Sequence, residues 1–399
     1  MKLVGLSAAG TAVLPGCSRV SSEAEAQSPV KHWQSDPVWR GVKYGAWKGA
    51  GVSEGDSPMD AVLLKDHAPK SSLITSETLV ATARVPAIDI HVHHYPGREK
   101  DTTPEKALAQ WVDTQREVGV EKSIVLTSAT GDKFDQLVDF YLGNYPDQFQ
   151  LYCGLDQTDI DKGDYPERAA RELERCYKRG ARGVGELSDK GFGLTRDSKL
   201  PPADRLHADD ARLDLFWQQC AALKMPVNIH IADHPSAWQP PDVFQERTPV
   251  FQQYNNFGGN GLTHDELIST LPRMLKKHPH TTYIACHLAN LGHDLQRLAK
   301  MLDEFPNLFV DISARDYEVG RQPRTAGRFL QNYAKRVLFG TDMGMEKTMY
   351  RNWWRLLESA DEHMEGRVWW RYYGLELPQE VLADLYSKNA KRILNWSQT

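Results

Sequence analysis

His91 and His93 close a short apolar run, Val85-Pro-Ala-Ile-Asp-Ile90, whose composition suits a buried β-strand. Side chains alternate along a strand, so residues i and i+2 share a face. The two imidazoles are therefore expected side by side, with Asp89 behind them on the same face. A pair of this kind is half a metal site. In a chain with fourteen histidines it carries little weight alone. Further donors end other strand-like runs: Glu186 after Gly183-Val-Gly, His230 after Val227-Asn-Ile, His287 after Tyr283-Ile-Ala-Cys and Asp342 after Val337-Leu-Phe-Gly-Thr. Each has a plainer role taken singly. His230 suits a carbonyl-bonded core histidine, Glu186 a cap or salt bridge, His287 a helix cap and Asp342 a turn. The same coincidence on five strands points instead to one centre of N and O donors. Such a set suits one or two divalent ions, zinc first, with manganese or iron as alternatives.

The elements that must carry these donors recur regularly from residue 86 onward. Strand-like runs occur at 88–92, 123–126, 150–154, 183–187, 227–231, 283–286, 308–312 and 337–340. Helical spacing of apolar residues fills the intervals, beginning at Thr103-Pro104 and continuing over 134–145, 166–178, 211–223, 264–278, 295–304 and 325–334. Alternation of this kind implies parallel strands joined by right-handed crossovers. Eight units predict an α/β fold, a (β/α)8 TIM-like barrel with an N-terminal extension and C-terminal closing helices. A doubly wound open sheet is the alternative, but no Gly-x-Gly-x-x-Gly follows the first strand. In a barrel, the C-terminal ends of the strands surround the active site, which is where these donors fall.

Composition narrows the partners. The 399 residues are 41% hydrophobic, enough for a large core, and the net charge of −5 with scattered basic residues gives no nucleic-acid surface. No apolar run reaches the roughly 20 residues that span a bilayer. Met1-Lys2, the apolar stretch Leu3 to Leu14 and Leu14-Pro-Gly-Cys17 read as a lipoprotein-type export signal. Residues 1–17 are thus expected to be the signal, 18–59 a tether and N-terminal extension, and 60–399 the barrel. This places the protein in the periplasm or on a bacterial membrane through a lipid on Cys17, with a cytoplasmic protein as the alternative. Cys153, Cys176, Cys220 and Cys286 lack metal-type spacing and read as buried thiols.

Ile88-Asp-Ile-His-Val-His93, the strand-end histidines and Val337-Leu-Phe-Gly-Thr-Asp342 resemble the amidohydrolase superfamily, and more narrowly its amidohydrolase-related (amidohydrolase 2) branch. The likeness spans residues 60 to 399, including the closing segment from Tyr373 to Ala390. It implies that His91, His93, His230 and Asp342 are metal ligands. It also implies that His287 binds a second ion or polarises substrate. Glu186 departs from the decarboxylases of that branch and resembles the bridging carboxylate of TatD-like binuclear hydrolases.

The chemistry expected is hydrolysis of an ester, lactone or amide in a small molecule. A bound divalent ion lowers the pKa of water to about 7. Asp342 then moves the proton and His287 supports the developing oxyanion. The alternative is a non-hydrolytic decarboxylase using the same ion, and a third reading is a lipid-anchored binding protein without turnover. Asp233, His234, Trp238 and Arg315 are the candidate substrate contacts, with pairing to a neighbouring acid the other reading of Arg315. Asp89 is read either as a partner of a histidine ring or as a buried structural group.

Overall fold

Eight strands pair in the order in which they occur along the chain: β1 (Ala87–Val92), β2 (Val120–Leu126), β3 (Phe149–Cys153), β4 (Ala181–Asp189), β5 (Val227–Ile231), β6 (Tyr283–Ala285), β7 (Leu308–Asp311) and β8 (Val337–Leu338). Every neighbouring pair is parallel. Backbone bonds from Ile90 N to Phe339 O (3.1 Å) and from Asp342 N to His91 O (2.8 Å) tie the first strand to the end of the last. The result is a nearly closed (β/α)8 barrel, as the alternating pattern predicted. The computed structural model describes residues 61–394 apart from 64–65, 67–69, 99–100, 243–245, 247–254, 344–345 and 369. The expected signal and tether, Cys17 included, lie outside the described residues. The chain divides into two units, Met1–Leu73 and Ile74–Thr399, and the barrel is the second.

Helices fill the crossovers: α1 (Pro104–Val118), α2 (Gly131–Asn144), α3 (Tyr165–Arg179), α4 (Asp214–Ala222), α5 (Thr270–Lys277), α6 (Leu295–Glu304), α7 (Pro323–Asn332) and, after β8, α8 (Lys347–Glu358). The start of α1 shows how local sequence sets a boundary. The Thr103 side chain accepts from Lys106 N, Pro104 occupies the first turn, and Gly119 ends the helix at φ 84°. Two expected helices are subdivided. The span 211–223 opens with a 3-10 turn at Ala211–Leu213, and 264–278 breaks into His264–Ile268 and α5.

Strand alternation separates two apolar layers. Ile88, Ile90, Ile124, Leu126, Tyr152, Ile284, Phe309 and Leu338 form one buried cluster inside the barrel. Their neighbours in sequence, among them Ala87, Val125, Leu151 and Val310, pack in the larger cluster shared with the helices. Burying each such aliphatic side chain stabilises the fold by roughly 1.5–3 kcal/mol. Ala390 and Leu394, at the end of the closing helical segment 379–393, join the interior cluster. The four cysteines beyond residue 60 are buried and form no disulfide among the described residues. No helix among those residues is long and apolar enough to cross a membrane.

Candidate metal centre

The six donors expected from sequence converge. His91 Nε2 lies 3.3 Å from His93 Nε2 and 3.7 Å from both Glu186 Oε1 and Asp342 Oδ1. His93 Nε2 is 3.4 Å from Glu186 Oε2 and 3.5 Å from Asp342 Oδ1. On the other side, Glu186 Oε1 is 2.8 Å from His230 Nδ1 and 3.3 Å from His287 Nε2, and those two nitrogens are 3.1 Å apart. Glu186 is thus shared by two donor groups, one with His91 and His93, the other with His230 and His287.

The outer nitrogens decide what the inner ones can do. His93 Nδ1 meets Leu126 O at 3.1 Å and His287 Nδ1 meets Ser313 O at 2.8 Å. A carbonyl only accepts, so each Nδ1 carries the proton and each Nε2 keeps its lone pair for the centre. His91 Nδ1 pairs with Asp311 Oδ2 at 2.9 Å, and His230 Nε2 pairs with Asp233 Oδ1 at 3.2 Å. Zinc bonds of 2.0–2.1 Å in a tetrahedron place ligand atoms about 3.3 Å apart. The separations here cluster around that value, so the residues fit a divalent cation. The charge balance agrees. Burial opposes a charge on His91, yet Asp311, Asp342 and Glu186 push its pKa up to about 10. Burial also works against the Glu186 charge, but His230 and the other imidazoles hold it well below the usual carboxylate range.

Backbone geometry aims these groups. A register shift interrupts β4 between Val184 and Leu187. Gly185, at φ 150°, precedes Glu186 where a Cβ would meet Asn228 Cβ at 2.8 Å, so glycine is needed there. Past β6, His287, Leu288, Ala289 and Asn290 are all left-handed, with φ between 53° and 60°. Such non-glycine residues cost roughly 1–3 kcal/mol each. Asn290 Nδ2 offsets part of this by donating to Ile231 O and Ala232 O at 2.9 Å each, and His287 N donates to Asp311 Oδ1 at 2.8 Å.

Of the two readings of Asp89, the fold selects the buried structural one. A second register shift lies between Asp89 and Val92. The Asp89 carboxylate accepts from Thr341 N and Oγ1 and from Tyr350 OH, touching neither histidine ring. Its role is structural, and Asp311 is the carboxylate that orients His91. Asp311 and Ser313 were missed as site residues, although Asp311 ends β7 and the same strand-end rule would have found it.

A cleft of about 1180 Å³ opens over the centre, lined by His93, Glu186, His230, Asp233 and Asp342 among others. His234, Trp238 and Arg315 are outside its lining. Ser236 N donates to His234 Nδ1 at 3.2 Å, so His234 Nε2 bears the proton toward Glu318, 3.8 Å away. That protonation opposes a metal in the group His234, His293 and Glu318, although their atoms are close. Trp238 Nε1 donates to Leu262 O at 2.9 Å. Arg315 is buried and bonds Asn290 Oδ1, Ala314 O and Glu318.

The sequence model of the amidohydrolase (amidohydrolase 2) family matches residues 88–396, the whole barrel with its donors. The chain belongs to this family. Among solved structures, this amidohydrolase-family chain is similar to a Staphylococcus aureus protein described as an amidohydrolase, with 15% identity, TM-score 0.53 and coverage of 78% of this chain and 100% of that one. It is also similar to an uncharacterised TIM-barrel protein from Bordetella bronchiseptica, with 16% identity, TM-score 0.51 and coverage of 79% and 100%. A third likeness is to 5-carboxyvanillate decarboxylase from Novosphingobium aromaticivorans, complexed with manganese and a nitrobenzoic acid, with 14% identity, TM-score 0.50 and coverage of 80% and 100%. At these identities the likeness speaks for the fold alone. No curated protein matches the sequence. Family membership and the donor set together support a metal-dependent enzyme acting on small molecules.

Proposed function

We propose that this amidohydrolase-family protein is a metal-dependent hydrolase acting on the carbonyl of an ester, lactone or amide in a small molecule. The observation that carries the reading is the position of Glu186, shared between two imidazole pairs. His91, His93, Glu186, His230, His287 and Asp342 are the residues that would hold one or two divalent ions, two being our reading. Zinc is the first expectation for a set so rich in imidazole. When bound, a divalent ion polarises a carbonyl and lowers the pKa of water.

The chain's own groups supply the rest. Asp342 is 29% exposed at the cleft, so its carboxylate can take a proton from attacking water and return it to the leaving group. His287, fixed through Nδ1 by Ser313 O, presents Nε2 at a constant place beside Asp342 Oδ2, 3.7 Å away. Asp233 lines the cleft and holds the outer nitrogen of His230.

Decarboxylation is the second reading, favoured by the likeness to the manganese-containing decarboxylase. In it, the same residues would hold an ion that would supply binding for a substrate carboxylate or hydroxyl, and Asp342, or His287 once Nε2 has taken up a proton, protonates carbon. Two measurements separate them. Elemental mass spectrometry on protein purified without chelator is expected to give about two ions per chain for the hydrolase. Products formed in heavy-oxygen water then decide, since only hydrolysis must place solvent oxygen in the product.

A further inference from the structure

The cleft lining carries two cations from one loop, Lys190 and Arg196, just past β4. Lys190 is held in place. Its Nζ lies 3.0 Å from Asp233 Oδ2 and 3.2 Å from Asp233 Oδ1. The loop itself is pinned, with Gly191 N and Gly193 N donating to Asp189 Oδ1 at 2.9 and 3.0 Å and Asn256 Nδ2 donating to Lys190 O at 2.8 Å. Arg196 Nε donates to Ser188 O at 3.5 Å. A fixed ammonium loses less entropy on meeting an anion than a mobile surface side chain does.

The acids on the same wall are already matched. Asp156 accepts from Thr158 N and Oγ1 and faces Arg168 at 3.5 Å, while Asp233 balances Lys190. Among the described residues, Arg196 therefore leaves one positive charge in excess on this wall. Arg315, read from sequence as a carboxylate clamp or as the partner of a neighbouring acid, is buried against Asn290 and Glu318 outside the lining. The remaining polar lining, such as Ser128, Thr130 and Gln157, is neutral.

We propose that the substrate carries an anionic group, a carboxylate or a phosphate, which Lys190 and Arg196 receive on this wall, apart from the atoms undergoing reaction. The inference rests on the reading of this cleft as the active site. Low-dielectric walls strengthen such contacts and steer anions toward the centre.

The test is calorimetric titration of zinc-loaded protein with benzoate, phenyl phosphate and neutral benzamide at about 0.15 M ionic strength. One or both anions are expected to bind at least about tenfold more tightly than benzamide. Lys190→Met and Arg196→Gln are each expected to weaken the anions about tenfold and leave benzamide unchanged. The tighter anion identifies carboxylate or phosphate as the recognised group. Metal content and melting temperature report whether each variant is folded, and Arg196→Gln, on an exposed residue, carries the test if Lys190→Met does not fold. Equal affinity for benzamide, no saturable anion binding, or anion affinities unchanged in both variants would overturn the proposal. The last result would mean that ions at the centre hold the anion alone. No turnover is involved, so an error in the reaction class leaves this outcome readable.

Discussion

His91 on β1 and Asp311 at the end of β7 are joined by a 2.9 Å contact between Nδ1 and Oδ2, although 220 residues separate them. Asp311 also accepts from Ser313 Oγ and from His287 N, so one buried carboxylate sets two of the four imidazoles. Burial raises the pKa of Asp311, but His91 and its other partners outweigh this and lower it to about 2. Asp311→Asn should keep the fold and weaken metal retention about 10–100-fold. Dialysis against a graded chelator series measures this, and retention equal to the parent protein would show that the contact does not orient His91.

Asp342→Asn tests the proton carrier. Asparagine keeps the shape but cannot accept a proton, so turnover should fall by at least about 100-fold. Most of the bound metal should persist, because the other proposed ligands are unchanged. Near-normal rates at full metal loading would remove Asp342 from the proposed chemistry.

Gly340 sits where a Cβ would meet His91 Cβ at 2.7 Å. Gly340→Ala must therefore displace His91 or the β8 end, and overpacking of this kind costs about 1–3 kcal/mol. The expected result is a lower melting temperature together with reduced metal content. A variant with both unchanged would mean that the strand ends yield without strain.

His264 provides a pH test away from the centre. Burial first, then the charge of His293, lowers its pKa from 6.5 to about 4. Its folded pKa lies below the unfolded one, so its stabilising effect is complete above pH 6.5 and is lost as pH falls toward 4. The loss is on the order of 3 kcal/mol. Urea unfolding across this range should show the parent losing stability relative to His264→Gln. Parallel curves for the two proteins would exclude the effect.

What the amino-acid sequence determined is what local chemistry determines. Apolar runs of strand length, helical spacing between them and donors at strand ends were enough to anticipate eight parallel strands and the six residues that meet, five within ligand distance of one another in two groups and Asp342 3.5–3.7 Å from three of the histidines. Each of those signals lies within one element, where alternation and periodicity act. The orientation of the donors was beyond such rules. Strict alternation placed Asp89 with the histidines, but a register shift in β1 leaves Asp89 on Thr341 and Tyr350. Arg315 was open either to clamping a substrate carboxylate or to pairing with a neighbouring acid, and the fold pairs it with Glu318, with Asn290 from the left-handed turn at 287–290 against it. Asp311 with His91, and Lys190 with Asp233, are pairs of residues distant in sequence. Closing the barrel brings strand ends together, and only the tertiary structure decides which polar group satisfies which once water is excluded.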